Sequence, residues 1–216
     1  MIADEVSMVR GPQPHTLIYK DYLALERAAN LRHEFLDGEA WAMRGGTPRH
    51  AKVMTNLTLA VGAALRGRPC QPYNSELKIS VDNTGLYTYP DLAVICGSLT
   101  RSAQDRNAVT NPTLLAEVLS PGTDGWDRGA KFAHYQQSPA LRYYLLVNVD
   151  KVLVELFTRE PEGRWVLTVH GAGQSVPLPE LEISVEVDEI YADLPEEPVE
   201  EMAAHQERMQ APPSRT

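Results

Sequence analysis

The chain has 216 residues, of which 43% are hydrophobic and 23% charged, and it carries a formal net charge of −9 with a mean hydropathy of −0.30. This length and composition suit one domain with a sizeable core, and they exclude a collagen-like fibre and a wholly disordered chain. No apolar run approaches the roughly 20 residues of a membrane-spanning helix, and the first residues lack the apolar stretch of a secretory signal. We therefore expect a soluble, cytoplasmic protein that binds no membrane.

The first part of the chain is predicted to contain two helices and one hairpin. In chain order we expect a flexible arm, a helix, a hairpin and a second, amphipathic helix, over 1–15, 16–31, 33–42 and 49–66. Thr16 is the candidate N-cap of the first helix, and Gly67 ends the second. The dipeptide Asp37-Gly38 is typical of a two-residue hairpin turn.

The rest of the chain alternates strands with two further helices. Strands are predicted over 70–81, 86–96, 113–119, 142–148, 151–158 and 164–170, and helices over 126–138 and 187–194. The run 113–119 is almost wholly apolar, which is typical of a strand buried on both faces. Pro90 cannot donate to a strand ladder and should mark an irregularity. Cys70 and Cys96 lie in strand-like stretches, and we expect both to be buried, reduced thiols.

This order of elements predicts a fold of the α/β class, namely an α+β domain built on a mixed sheet. No glycine-rich phosphate loop follows a strand, which disfavours the nucleotide-binding folds that depend on one. We divide the chain into a flexible arm over 1–15, one folded domain over 16–194 and an acidic tail over 195–216.

The charge is unevenly distributed along the chain. Residues 180–216 hold eleven acidic and two basic residues, whereas residues 1–179 hold 18 of each. Between residues 40 and 75 there is no acid, and the basic residues there are Arg44, Arg49, Lys52, Arg66 and Arg68. Since charge effects are screened beyond roughly 10 Å, this basic stretch could bind phosphates on an acidic protein. Ordinary solvated helix charges are the alternative, and so is a basic surface on which the acidic tail docks.

Two acids interrupt apolar strands. Asp91 follows Pro90 within one predicted strand, and Glu117 lies in the middle of the run 113–119. A carboxylate inside a core strand is costly unless it is paired, hydrogen-bonded or bound to a metal. Oxygen ligands favour Mg²⁺ or Mn²⁺, and no Cys or His spacing suggests zinc. The two acids could therefore share a divalent cation, or backbone amides or an arginine could satisfy them.

The following predicted helix repeats polar residues every four positions. Asp127, Lys131 and Tyr135 would share one face, and the helix starts shortly after Glu117. Lys131 could then reach the acids, orient a water and offset charge on a phosphorane-like transition state. The alternative is a surface pair with Asp127, worth only about 0.3–0.5 kcal/mol. Tyr135 could contact a phosphate or simply pack.

The sequence resembles the bacterial Uma-two family of the PD-(D/E)xK, restriction-endonuclease-like superfamily. The matching pieces are the stretches 33–39, 89–94, 117–123 and 142–147, the helix opening at His50, and the residues Asp127, Lys131 and Tyr135. The resemblance covers about residues 16–190 and implies a restriction-endonuclease-like core sheet with flanking helices.

The resemblance also implies roles for single residues. Asp91, Glu117 and the backbone carbonyl of Val118 would hold the metal, and Glu34 would match an acid that adds to this site in some members. Glu34 could equally be a surface acid of the hairpin. The superfamily places its lysine two residues after the second acid, where this chain has Leu119, and Lys131 would replace it from the helix.

Taken together, these residues predict a Mg²⁺- or Mn²⁺-dependent endonuclease that hydrolyses DNA. Its catalytic residues would be Asp91, Glu117 and Lys131. The phosphates would be contacted by Arg44, Arg49, His50, Lys52 and Tyr135. The alternative is a non-catalytic module of nuclease fold that binds DNA or a protein partner. A homodimer is also compatible with the resemblance.

Overall fold

The structure, a computed structural model, describes residues 17–43, 45–120 and 122–196. The predicted arm, the proposed cap Thr16, Arg44 and all of the tail after Glu196 lie outside the described residues.

Five α-helices and thirteen strands are described. The helices are α1 Tyr19–Ala28, α2 Pro48–Ala64, α3 Asp124–Trp126, α4 Phe132–Tyr135 and α5 Val187–Ile190. A π-helical turn, Asp127–Lys131, joins α3 to α4, and a 3₁₀ turn covers Pro179–Leu181. The strands are β1 His33–Leu36, β2 Glu39–Ala42, β3 Cys70–Asn74, β4 Lys78–Val81, β5 Leu86–Thr88, β6 Leu92–Cys96, β7 Ala108–Val109, β8 Leu114–Leu119, β9 Tyr143–Asn148, β10 Leu153–Arg159, β11 Trp165–Gly171, β12 Ser175–Leu178 and β13 Ile183–Glu186.

A six-stranded sheet forms the centre, in the order β11-β10-β9-β8-β6-β3. Strands β8 and β9 pair in parallel, and the other neighbours pair antiparallel. All six residues of β8 are buried, because both faces of this strand are covered. The mixed α+β class predicted from the sequence is therefore confirmed.

Two layers cover the central sheet. One face packs on α2, the β12-β13 hairpin and α5, in an aliphatic core centred on Val61, Val94 and Leu145. The other face packs on the helical segment 124–135 and on a second sheet, in a core that includes Ile79, Tyr135 and Leu146. The acids discussed below lie on this second face.

The second sheet has the order β2-β1-β5-β4-β7. Strands β1 and β2 form the predicted hairpin, and Asp37 and Gly38 at its turn have φ angles of 50° and 83°. Positive φ at both turn residues is what a type I′ turn needs, and aspartate and glycine tolerate it best. This hairpin delivers Glu34 to the face of the central sheet.

Two predicted strands are each divided in the structure. The run 70–81 is two strands that belong to different sheets, and the run 86–96 breaks at 89–91 for the same reason. The expected irregularity at Pro90 is thus the point where the chain crosses between sheets. That crossing leaves Asp91 beside the first residue of β6.

The prediction of two reduced thiols was wrong. Cys70 and Cys96 form a disulfide, because β3 and β6 pair in a register that sets these two residues directly opposite each other. The sequence alone did not reveal that these strands are neighbours. Among the described residues, no helix is both long and apolar enough to cross a membrane.

Candidate active site

The two strand acids meet at one end of β6 and β8. These strands pair antiparallel with Leu92 opposite Ala116, so the register extended by one residue sets Asp91 opposite Glu117. Opposed residues of antiparallel strands point to the same face. The backbone N–H of Val118 donates to Asp91 Oδ2 over 2.7 Å, which fixes the aspartate at this strand end.

Lys131 lies at the centre of the acids. Its Nζ is 2.9 Å from Glu117 Oε1, 2.9 Å from Glu34 Oε1 and 3.3 Å from Asp127 Oδ1. The residue is only 4% exposed. The alternative of a solvated surface pair with Asp127 is therefore wrong, and the helix-borne lysine does reach the acid expected from the sequence.

The helical segment 124–135 holds these groups because its polar face turns inward. Asp127, Lys131 and Tyr135 are all buried, whereas the four-residue spacing predicts only that they share a face. The Tyr135 hydroxyl donates to Glu117 Oε1 over 2.9 Å, and the Tyr144 hydroxyl of β9 donates to the backbone carbonyl of Asp127 over 3.1 Å. Tyr135 is fully buried, so its phosphate contact stays a prediction without support from its position.

Glu34 belongs to this cluster and is not a surface acid of the hairpin. Its carboxylate accepts hydrogen bonds from the hydroxyl of Thr88 and, over 3.3 Å, from the indole N–H of Trp126. Neither donor was singled out from the sequence. Thr88 precedes the crossing at Pro90, and Trp126 is the last residue of α3, but only the packing of the hairpin on the helical segment brings them together.

Burial and the neighbouring charges shift the pKa values of this cluster in different directions. Burial raises the pKa of Glu117 well above its usual range, although Lys131 acts to lower it. Burial likewise raises the pKa of Asp91 and of Asp127. At Glu34, burial is outweighed by Lys131 and by the hydrogen bonds it accepts, and its pKa is lowered.

The lysine itself stays protonated at neutral pH. Burial acts to lower the pKa of Lys131, but the carboxylates of Glu117, Glu34 and Asp127 outweigh it and raise this pKa well above its usual range. Lys131 can therefore act as a fixed cation and hydrogen-bond donor, but not as a general base near neutral pH.

His50 closes the other side of the site. The backbone N–H of His50 donates to Thr47 Oγ1, the N-cap of α2, so the start of the helix positions the ring. Its Nε2 lies 2.9 Å from the backbone carbonyl of Val118 and 3.8 Å from Asp91 Oδ2. The imidazole thus contacts two of the groups that the sequence predicts as metal ligands.

The predicted basic stretch is only partly available to a ligand. Arg49 donates to the backbone carbonyls of Val149 and Pro195, over 2.9 Å and 3.3 Å, so it ties α2 to two other segments. Lys52 is half-buried on the same helix, and Arg44 lies outside the described residues. Phosphate contacts by these residues stay predictions.

The sequence profile of the family Uma2, described as "Putative restriction endonuclease", matches residues 19–188. That span is more than half of the chain and contains every described residue of the cluster. The chain belongs to the Uma2 family. The resemblance read from the motifs is therefore confirmed.

Two relatives in Synechocystis sp. (strain ATCC 27184 / PCC 6803 / Kazusa) are similar in sequence to this chain. The uncharacterized protein slr1290 is 36% identical over 175 residues, which is 81% of this chain and 91% of the relative. The uncharacterized protein sll1609 is 31% identical over 148 residues, which is 68% of this chain and 84% of the relative.

A solved structure shares the Uma2 fold seen here. The crystal structure of a putative nuclease belonging to DUF820, from Anabaena variabilis ATCC 29413, superposes with a TM-score of 0.63 at 14% identity. The match covers 76% of this chain and 92% of that one. At this identity the likeness concerns the fold alone, and it agrees with the expected α+β architecture.

The donors in this Uma2 site fit a hard divalent cation by their chemistry. Across 17–43, 45–120 and 122–196, no three His, Cys, Asp or Glu side chains are grouped in a way that could hold a metal. A site made of Asp91, Glu117 and the Val118 carbonyl needs only two such side chains. Burial raises the pKa of both acids despite Lys131 and, at Asp91, His50, and a bound cation would favour their charged forms.

Proposed function

We propose that this Uma2 protein is a metal-dependent endonuclease that hydrolyses DNA phosphodiester bonds. The observation that carries the proposal is the position of Lys131 Nζ, 2.9 Å from Glu117 and buried beside the strand end that holds Asp91. Two acids and a lysine at one strand end are the parts that phosphodiester hydrolysis with a divalent cation requires. Membership of a family described as a restriction endonuclease supports the same reaction class.

Within this proposal each residue has a separate task. Asp91, Glu117 and the Val118 carbonyl would hold Mg²⁺ or Mn²⁺, which when bound supplies Lewis-acid polarisation of the scissile phosphate. The Lys131 ammonium, which contacts Glu34, Glu117 and Asp127, would offset negative charge that develops on the phosphate oxygens.

Two further residues position this machinery. Glu34 and Asp127 hold the ammonium in place. His50 contacts the Val118 carbonyl, whose second lone pair could still serve a cation.

We further propose that the substrate is DNA, that the protein acts in the cytoplasm and that it forms a homodimer. DNA would be held through its phosphates by basic residues of the stretch around α2, without base readout. The Arg49 guanidinium already donates hydrogen bonds to backbone carbonyls. We therefore propose that Lys52 and Arg44 make most of the contacts with the DNA phosphates.

The proposal is tested by nicking of supercoiled plasmid in Mg²⁺ or Mn²⁺. We expect wild-type protein to nick, and we expect Asp91→Ala and Glu117→Gln to lower the rate by at least about a hundredfold, because each removes a ligand of a charge-stabilising centre. Glu76→Gln, a change of an exposed acid outside the cluster, is the matched control and should nick normally. Wild-type protein that cleaves no nucleic acid with any divalent metal would refute the proposal.

One observation favours the alternative of a non-catalytic module. Asp91 Oδ2 already accepts a backbone N–H, and the Val118 carbonyl already contacts His50, so the chain satisfies part of the site without a cation. Calorimetric titration with Mn²⁺ separates the two functions. Binding that is lost in Glu117→Gln supports the nuclease, whereas DNA binding without any metal binding supports the module.

A further inference from the structure

Two tryptophans flank the acid cluster at its outer side. Trp41 of β2 lies directly opposite Glu34 of β1 in the hairpin register, and the Trp126 indole N–H donates to the same glutamate. The two ring centroids are 6.0 Å apart with an interplanar angle of 47°. Glu34 in turn contacts Lys131 Nζ over 2.9 Å. An aromatic pair is thus one side chain away from the proposed catalytic lysine.

The core does not account for these rings. Trp41 is 38% exposed and belongs to none of the three buried clusters, and Trp126 is half-buried at the margin of one of them. By contrast, the aromatic side chains Tyr22, Tyr135 and Tyr144 are fully buried. Among the described residues, part of the Trp41 side chain is therefore accessible to a ligand.

Because the site is rich in acidic residues, contacts that do not depend on charge would favour the binding of a nucleic acid. Three carboxylates contact Lys131 and Asp91 lies opposite one of them, and in their charged forms these acids repel the phosphates of a nucleic acid. Stacking of a base on an aromatic ring is worth about 1–3 kcal/mol and depends little on sequence. Bases in an intact duplex are already stacked on their neighbours, whereas an unpaired base offers a free face.

We propose that Trp41 and Trp126 form a stacking surface for an unpaired base, so that the preferred substrate is single-stranded or locally unpaired DNA. The inference rests on the proposed phosphodiesterase function, because a base bound by these tryptophans would lie next to the proposed catalytic site. It adds the substrate class to that function.

Binding is measured by fluorescence anisotropy with a labelled oligothymidylate and with a duplex of mixed sequence, both in EDTA so that no cleavage occurs. We expect Trp41→Ala to weaken single-strand binding about 5- to 150-fold, which corresponds to the stacking energy of one base, and to leave duplex binding unchanged. Trp41→Phe keeps a ring and should stay within a few-fold of wild type. Leu59→Ala, at an exposed apolar residue of α2, is the matched control.

A second measurement, of tryptophan fluorescence, tests the stacking surface without changing Trp41 or Trp126, so it does not depend on how the Trp41→Ala variant folds. The chain has three tryptophans, so Trp165→Phe leaves only Trp41 and Trp126 to fluoresce. Saturating oligothymidylate should quench this emission in the otherwise intact protein. Absence of quenching, an equal loss of single-strand and duplex binding in Trp41→Ala, or wild-type binding by that variant would each overturn the inference.

The outcomes separate this inference from the proposed function. Stacking that is confirmed in a protein that never nicks DNA would reject the nuclease and keep the surface. Metal-dependent nicking that Trp41→Ala does not alter, on single-stranded and duplex DNA alike, would keep the nuclease and reject the surface.

Discussion

Two lysines are buried in this protein, and their surroundings differ in a way that bears on function. Lys131 and Lys78 are 4% and 7% exposed, and each contacts more than one carboxylate. The acids around Lys78 have lowered pKa values, whereas Glu117 beside Lys131 has a raised one. The surroundings of Lys78 therefore favour the charged form of its acids, whereas burial disfavours the charged form of Glu117, which a bound cation would favour.

The surroundings of Lys78 predict how stability depends on pH. Burial acts to raise the pKa of Glu26 and of Asp105, but hydrogen bonds and the Lys78 ammonium outweigh it, and both values are lowered. An acid with a lowered folded-state pKa contributes stability that is complete above its unfolded pKa and is lost as the pH falls toward the folded value. We therefore expect the free energy of unfolding to fall as the pH drops from about 5 to about 3.

Lys78→Met tests this source of stability. The change leaves both acids buried without their cation, which should cost about 3 kcal/mol or more at pH 7 and should flatten the pH dependence below pH 5. Urea denaturation at several pH values measures both effects. Lys20→Met, at an exposed position of α1, is the control. An unchanged slope in Lys78→Met would mean that other acids control acid unfolding.

Between elements, the Cys70–Cys96 disulfide crosslinks the edge strand β3 to β6. It closes a loop of 26 residues, and restricting the unfolded chain by a loop of that length is worth about 3 kcal/mol. We expect the double change Cys70→Ala with Cys96→Ala to lower the free energy of unfolding by about that amount in non-reducing buffer. Dithiothreitol should lower the stability of the wild type equally and leave the double variant unaffected. Two titratable thiols in the untreated native protein would contradict the bond.

Hydrophobic periodicity predicts where the strands and helices lie along the chain, but it does not predict which strands pair with each other. The hairpin at Asp37-Gly38 and the buried run 113–119 are confirmed because local spacing determines them. The range 70–81 was predicted as one strand because nothing in its alternation shows that the chain changes sheets after Asn74. The disulfide was missed for the same reason, since it depends on which strands pair.

The sequence predicts those site residues whose burial would carry a clear free-energy cost. Asp91 and Glu117 stood out because carboxylates are expensive in apolar strands, and Lys131 because its four-residue spacing placed it on one face with Asp127. The contributions of Thr88 and Trp126 depend on how the hairpin packs on the helical segment, and no local pattern carries that information.

For the molecule as a whole, the acidic tail leaves the described part of the chain beside the basic stretch. The backbone carbonyl of Pro195 accepts a hydrogen bond from Arg49, the residue before His50 in α2. Residues 196–216 hold five acids and two arginines. Negative charge attached at this point competes with the phosphates of DNA for the same cations wherever it comes within about 10 Å of them at 0.1 M salt.

Deletion of residues 196–216 should therefore raise DNA affinity at low salt. The tail carries an excess of three negative charges, and their removal lowers the repulsion of a polyanion and frees basic residues of the stretch around α2. We expect several-fold tighter binding at 50 mM salt and no difference near 1 M, where the screening length is about 3 Å. A full-length variant with three of the five acids changed to glutamine has a tail of zero net charge and should match the truncated protein, because the effect is one of charge and not of length. Equal affinity of the full-length and truncated proteins at 50 mM salt would show that the tail does not act on this surface. A difference in affinity that persists at 1 M salt would show that the tail acts through something other than charge.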